Sequence, residues 1–390
     1  MEKKNNFYFP MISVLFFSYA VGTSVLGTFM IDLLNDFGLG VSDGGIFSVL
    51  YYTGCLLGVV ISSFLLKYLK NSTWIVITYG IYVFGMIAVG NTDTLTAYLI
   101  LLLIIGSATK FLDLAINTEI SVCYEKNKGF YINILHGCFG AGSFIGPLFA
   151  ARFLGFLPKW QWIYGFIGCI CGMLLIVFMI TGKKVEVEKS GTRQNGMNFA
   201  ILKKSEILCL ILALFFYCGH QSGISTWVPL FLRYQYDAGS FLASCGVSVF
   251  WICLVISRIS CAKLSVWFGE ETILTVGMVL AIIFHLSGVL VPNILFAILG
   301  YGGAGLFAGA AIPLILTIGY RECPENQGTV SVILFLSISA GQIVFPWIMG
   351  IICGNLGLTF GMLSNVFCLV GTSVFVMAFR AIKKQRRFAG

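Results

Sequence analysis

The sequence predicts an all-α membrane protein with twelve transmembrane helices, arranged as two pseudo-symmetric six-helix bundles. The first observation is composition: 58% of the residues are hydrophobic and 10% are charged, whereas soluble domains carry about 25% charged residues. The second is a succession of apolar stretches that are long enough to cross a bilayer. The third is a repeat of one part of the chain in another at a constant offset.

Each apolar stretch is close to or longer than the roughly 20 residues that a helical span requires. Helices are predicted because backbone groups in hydrocarbon must pair within one segment, and the stretches are far longer than the strands of a barrel. The predicted spans are 8–31, 44–66, 73–91, 95–123, 130–155, 160–182, 204–232, 239–261, 269–291, 293–320, 327–353 and 356–380.

Most basic residues fall on one side of the membrane. With a cytoplasmic N-terminus, 20 of the 24 Lys and Arg residues, Arg258 among them, lie in inner loops and tails. Arg152, Lys159 and Arg233 lie outside, and Lys110 lies within a span. This bias predicts a multi-pass protein of the bacterial plasma (inner) membrane with both termini cytoplasmic, and it explains the net charge of +8 without a nucleic-acid partner. No cleavable signal peptide is expected.

A polar stretch divides the chain into two halves of six spans each. We predict an N-terminal bundle over 1–182, a cytoplasmic linker over 183–203, and a C-terminal bundle with a basic tail over 204–390. A shift of 199 positions aligns part of the first half with the second, which indicates internal duplication. The matching pairs are Gly106/Gly305, Ile116/Ile315, Thr118/Thr317, Asn127/Asn326, Gly129/Gly328, Ile134/Ile333, Leu135/Leu334, Ala141/Ala340, Gly142/Gly341 and Pro147/Pro346.

The fourth span carries three polar residues on one helical face, Lys110, Asp113 and Asn117, at i, i+3 and i+7. A charge within the bilayer costs roughly 2.5–3.5 kcal/mol, so such a cluster indicates function. A carboxylate in this position can bind and release a proton, which makes Asp113 the predicted proton-coupling residue. The alternative is that Lys110 and Asp113 only neutralise each other.

The offset of 199 aligns Lys110 with Gly309 and Asp113 with Ile312, so we expect the ionisable part of the site in the first half. Further predicted solute contacts are polar or aromatic residues of the fifth, seventh and eleventh spans. With Lys110 and Asn117, the predicted substrate-binding set is Asn133, His136, Tyr217, Gln221, Trp227 and Gln342. The alternative for His136 is a role in packing, and the alternative for Trp227 is a role as an interfacial anchor. His285 is interpreted as structural.

Other chemistry is not indicated. The 13 cysteines show no metal-ligand or disulfide spacing and are interpreted as packing residues. The sequence contains no nucleotide-binding loop, zinc motif or nucleophile elbow. We therefore expect no enzyme activity, no cofactor and no metal.

Three stretches resemble a known family, the fucose permease-like group of sugar/proton symporters within the major facilitator superfamily. They are Asp113 to Thr118 with Asn133 to Pro147, Gly219 to Pro229, and Gly341 to Trp347. The resemblance implies two rigid six-helix halves, a central site and alternating access. It also implies proton coupling through Asp113. The chain departs from the group at Gly27 and Gln221, where the family often has carboxylates, and in the inner loop after the second span.

These observations predict a secondary transporter, a monomer, that couples protons to the import of a sugar or similar small hydrophilic metabolite. One alternative is a proton antiporter that exports drugs or metabolites. Another is an organic-anion carrier in which Lys110 binds the anion. A receptor or scaffold that no longer transports is a further alternative.

Overall fold

The computed structural model describes residues 7–124, 127–181 and 199–389, and the described chain is helical with no strand. Eleven helices are long and apolar enough to cross a membrane, and Tyr8–Thr23 is a shorter apolar helix. The predicted fold class is confirmed. The α-helices are α1 Tyr8–Thr23, α2 Met30–Asp36, α3 Gly45–Leu65, α4 Asn71–Val89, α5 Leu95–Cys123, α6 Lys128–Leu154, α7 Trp160–Thr181, α8 Ser205–Tyr236, α9 Ser240–Phe268, α10 Glu270–Leu290, α11 Ile294–Ala308, α12 Ala311–Glu322, α13 Gln327–Leu356, α14 Leu358–Ser364 and α15 Val366–Ala389.

The helices form two compact units. Unit 1 comprises Met1–Gly38 and Leu50–Thr192, and unit 2 comprises Leu39–Val49 and Arg193–Gly390. The start of α3 therefore groups with unit 2, where Ser48 Oγ lies 2.9 Å from Thr226 Oγ1. Most of the predicted linker lies outside the described residues, and its last part forms a 3₁₀ turn at Phe199–Lys203.

Three predicted spans are interrupted, one of them, the twelfth, at Asn365 between α14 and α15. The first span is α1 followed by the short helix α2. The tenth is α11 followed by α12, with Gly309 and Ala310 between them. Pro313 explains the break in the tenth span, because it has no N–H to donate to the carbonyl of Gly309 four residues earlier. The Gly309 carbonyl is thus left without its helical partner.

The same helix crossing occurs in both units. A side chain at Gly106 of α5 would meet the backbone carbonyl of Tyr51 on α3, and one at Gly305 of α11 would meet that of Phe250 on α9. Glycine is required at both positions because the two backbones approach so closely. Both members of each contact are related by the sequence offset of 199, so the repeat extends to the packing of these helices.

Candidate functional site

The polar cluster of unit 1 lies on α5, as the spacing predicts. Lys110 Nζ lies 2.9 Å from Asp113 Oδ2. Asn117 Nδ2 donates to Asp113 Oδ1 at 2.8 Å and to the Asp113 carbonyl at 2.8 Å. Both carboxylate oxygens therefore have a donor, and one of the two donors is a cation.

This cluster is neither at a helix end nor on the open surface. Asp113 precedes the C-terminal residue of α5 by ten positions, about 15 Å along a helix. The side chains of Lys110 and Asp113 are 24% and 19% exposed. Tyr19 of α1 and Cys55 of α3 lie within electrostatic range of Asp113. The ion pair is thus surrounded by three helices of unit 1 and keeps partial access.

The other predicted residues of unit 1 lie on α6. Asn133 is exposed and His136 is half-buried. The His136 ring lies edge-on to the Phe16 ring of α1, with ring centres 5.9 Å apart. This contact packs the His136 ring against the aromatic residues of α1.

In unit 2, two predicted residues of α8 have unused polar atoms. Tyr217 is 1% exposed and Gln221 is 7% exposed. Within the described chain, Tyr217 Oη and Gln221 Oε1 have no hydrogen-bond partner. Trp227 differs, because it is fully buried and its Nε1–H donates to the Pro346 carbonyl at 3.0 Å. The indole N–H, the only donor of this side chain, thus joins α8 to α13. An interfacial anchor would instead be exposed at the membrane surface. Gln342 is half-buried on α13.

A histidine pair lies beside these residues. His285 Nε2 lies 3.0 Å from the carbonyl of Met362, which can only accept, so this nitrogen carries a proton. In neutral His285, Nδ1 then accepts from His220 Nε2 at 3.1 Å. Both rings are fully buried. The pair connects α8, α10 and α14, which agrees with the structural interpretation of His285.

Sequence reasoning misplaced Arg258. Arg258 was counted with the inner-loop charges although it falls within the predicted span 239–261. The helix α9 extends to Phe268, so Arg258 lies ten residues inside the helix. Its Nε donates to the carbonyl of Gly309 at 3.3 Å. Pro313 was the signal that could have found this contact, because a proline within a span frees the carbonyl four residues earlier. Unit 2 therefore also contains a charge within a span.

A second contact that was not predicted lies near the C-terminal end of α5. Glu119 is 2% exposed, and Tyr8 Oη donates to its Oε1 at 2.6 Å. Cys123 Sγ lies 3.7 Å from the same oxygen. These residues join α1 to α5 through a carboxylate held by neutral donors. No sequence pattern relates Tyr8 to Glu119, which lie 111 positions apart.

The charges at the helix ends of unit 2 pair with one another. A cavity of about 570 Å³ is lined by three acidic and three basic residues. Arg321 lies 2.6 Å from Glu270, and Lys383 lies 2.7 Å from Glu271 and 3.3 Å from Glu322. Because acids and bases balance, this cavity has no excess of either charge.

The described part of the chain is helical, with many apolar spans and polar groups within them, as in membrane transporters. The model of the Major Facilitator Superfamily matches residues 12–346. The match to this family model identifies the protein as a transporter and not an enzyme. The chain belongs to this superfamily and is a multi-pass membrane protein that moves a small solute.

Curated relatives are distant. A TsgA homolog of Buchnera aphidicola subsp. Baizongia pistaciae is 22% identical over 332 residues, which cover 82% of this chain and 83% of that protein. An uncharacterized MFS-type transporter of Yersinia pestis is 22% identical over 281 residues, covering 70% of this chain and 71% of the relative.

Solved structures share the fold at low sequence identity. A bacterial homolog of the human lysosomal transporter Spinster has a TM-score of 0.81 at 14% identity, covering 98% of both chains. The nucleoside transporter NupG has a TM-score of 0.73 at 15% identity, covering 97% of this chain and 99% of its own. The E. coli fucose:proton symporter FucP has a TM-score of 0.64 at 17% identity, with the same coverage of 97% and 99%. Structures of this group thus belong to transporters of different solutes.

Proposed function

We propose that this chain is a proton-coupled symporter that imports a sugar or another small hydrophilic metabolite by alternating access. The observation that supports it most is the Asp113 carboxylate, which lies within a span and accepts from Lys110 and Asn117. Similar folds occur in the FucP fucose:proton symporter and in NupG. The predicted role of Asp113 in coupling agrees with the position of its carboxylate.

The geometry suggests how a proton acts on the site. A proton on Asp113 Oδ2 occupies the oxygen that now accepts from Lys110 at 2.9 Å. Proton binding and the ion pair therefore compete for one atom. Protonation removes the negative charge and releases the Lys110 ammonium group for contact with solute, whereas loss of the proton restores the ion pair. In this proposal, the exchange of the Lys110 ion pair for a proton on Asp113 couples proton binding to solute binding by Lys110 and Asn117.

Proton movement across a sealed membrane tests the proposal. The protein is reconstituted in liposomes that contain a pH-sensitive dye, and fucose, galactose, uridine, galacturonate and lactate are added outside in turn. A symporter acidifies the lumen when its solute is added, whereas an antiporter makes it alkaline. We expect acidification with at least one solute, and its loss in Asp113→Asn.

A matched control is Asp93→Asn, because Asp93 also pairs with a lysine, Lys159, at 3.1 Å but is 74% exposed. This variant should acidify the lumen as the wild type does. Proton movement of normal size in Asp113→Asn would show that Asp113 does not couple the proton. Alkalinisation would favour the antiporter instead.

A further inference from the structure

Arg258 is a cation within a span, on helix α9. Among the described residues, no carboxylate forms an ion pair with it. The acidic residues of 205–389 all lie at or near helix ends: Glu206, Asp237, Glu270, Glu271, Glu322 and Glu325. Four of them form ion pairs with other basic residues. The pairs are Arg386 with Glu206, Arg321 with Glu270, and Lys383 with both Glu271 and Glu322. An uncompensated charge at this depth indicates a functional group.

The contact of Arg258 with Gly309 uses only a small part of its bonding capacity. The Nε–H donates to the carbonyl that Pro313 leaves free. A guanidinium group has five N–H donors, and the two terminal nitrogens have no other acceptor among the hydrogen bonds of the described chain. A neutral donor would satisfy the Gly309 carbonyl without placing a charge within the membrane. Bonding to Gly309 therefore does not explain why this residue is charged.

Tyr217 supplies a second donor within electrostatic range of Arg258. It lies on α8. The side chain is 1% exposed and, in the described chain, its hydroxyl has no hydrogen-bond partner. Arg258 lies deep in the protein and yet keeps partial accessibility. In the described chain, the terminal guanidinium nitrogens of Arg258 and the buried phenol of Tyr217 have no acceptor, and together they form a site for an oxyanion.

We propose that Arg258, assisted by Tyr217, binds a carboxylate or phosphate group of the transported solute. The substrate is then a small hydrophilic anion, such as a hydroxy acid or a phosphorylated metabolite. This inference rests on the proposed transport function and narrows its substrate class. It assigns the anion to Arg258 rather than to Lys110, because Lys110 is already paired with Asp113 at 2.9 Å.

The test compares matched neutral and anionic solutes. The full chain is purified in detergent, and its thermal unfolding midpoint is measured with galactose and galacturonate, glycerol and glycerol 3-phosphate, and lactamide and lactate. At least one anionic member should raise the midpoint while its neutral counterpart does not. The pairs distinguish carboxylates from phosphates, and the wild type alone gives a result even if a variant fails to fold.

Two substitutions locate the effect. Arg258→Gln should abolish the stabilisation by the anion. Arg258→Lys should weaken its apparent affinity about tenfold, the equivalent of one charge-assisted hydrogen bond, because lysine lacks the planar fork of donors. The matched control is Lys263→Gln, which removes an exposed cation five residues further along α9 and should leave the stabilisation unchanged.

Three results would overturn the inference: equal stabilisation by the neutral and anionic members, retention of the anion effect in Arg258→Gln, or no stabilisation by any of the anions. These results are separable from the outcome for the proposed function. If neutral sugars bind and move protons in liposomes, the symporter stands and the anion site fails. If an anion binds through Arg258 but no proton moves, the anion site stands and the coupling fails.

Discussion

The two units place a cation within a span in different ways. In unit 1, Lys110 lies on the same helix as its acid, Asp113, at 2.9 Å. In unit 2, the position equivalent to Lys110 is Gly309. The cation there is Arg258 of the neighbouring helix α9, whose Nε lies 3.3 Å from the Gly309 carbonyl. The first cation has a carboxylate and the second has a carbonyl. Both units thus have a positive group near equivalent positions, and among the described residues only the one in unit 1 has a carboxylate partner.

In the two proposals above, this difference gives the units different tasks. A carboxylate that shares its oxygens between a cation and an amide is suited to exchange with a proton, since protonation competes with the ion pair. A cation without a carboxylate is suited to bind an anion from outside the chain. The comparison predicts that removal of one charge lowers the stability clearly in unit 1 and changes it little in unit 2.

The largest expected effect on stability is that of Asp113→Asn. It leaves Lys110 within a span without its carboxylate, and the free energy of unfolding should fall by about 2 kcal/mol, less than for a fully buried pair because both side chains keep some access. The double variant Lys110→Gln/Asp113→Asn removes both charges and should regain most of this loss. Denaturant-induced unfolding in mixed micelles measures these values.

The control for this comparison is Asp93→Asn. Its ion pair with Lys159 is exposed at both ends, so the change should stay within about 0.5 kcal/mol. If Asp113→Asn unfolded as the wild type does, Lys110 would not depend on Asp113, and the contrast between the two units would disappear.

A smaller loss is expected for Tyr8→Phe. The hydroxyl of Tyr8 donates to the buried Glu119 carboxylate at 2.6 Å, and the variant leaves only the weak thiol of Cys123 near that oxygen. Loss of a hydrogen bond to a charged group costs about 1.5–3 kcal/mol, and we expect the lower end of this range. Thermal and denaturant unfolding check it, with Tyr68→Phe as a control because Tyr68 is 61% exposed. An unchanged stability would mean that the carboxylate of Glu119 does not depend on this bond.

The smallest change is expected for Arg258→Gln in the absence of solute. The variant loses a long hydrogen bond to Gly309 but also removes a charge that no acid neutralises, so the two terms oppose each other. The free energy of unfolding should change by less than about 1 kcal/mol, in either direction. A loss of several kcal/mol, measured in the same mixed micelles, would show that Arg258 mainly supports the break between α11 and α12.

The fold and the cluster of Asp113 were predictable because they depend on local patterns. The length of the apolar stretches determines the spans, and a spacing of three and seven residues places Lys110, Asp113 and Asn117 on one face of α5. Arg258 was counted with the inner-loop charges, although a helix in a protein interior can carry a charge that meets a free carbonyl.

Contacts between distant parts of the chain were not predictable. The indole of Trp227 meets the Pro346 carbonyl, 119 residues away, and the pairing of Tyr8 with Glu119 likewise depends on how α1 packs against α5. One sequence fixes which groups lie on a helical face, but only the packing decides whether a donor is occupied or free. For this reason, Trp227 was proposed beside Tyr217 as a solute contact, whereas the structure distinguishes an occupied donor from an unpartnered one.

The most direct measurement compares the unfolding free energy of the wild type and Arg258→Gln, each with and without an anion that stabilises the wild type. Without the anion, the two proteins should be similar in stability. At a concentration about 100 times the dissociation constant, the wild type should gain about 2.7 kcal/mol and the variant should gain none. An equal gain in both proteins, or a loss in Arg258→Gln of the same size in both conditions, would contradict the assignment of the anion to Arg258.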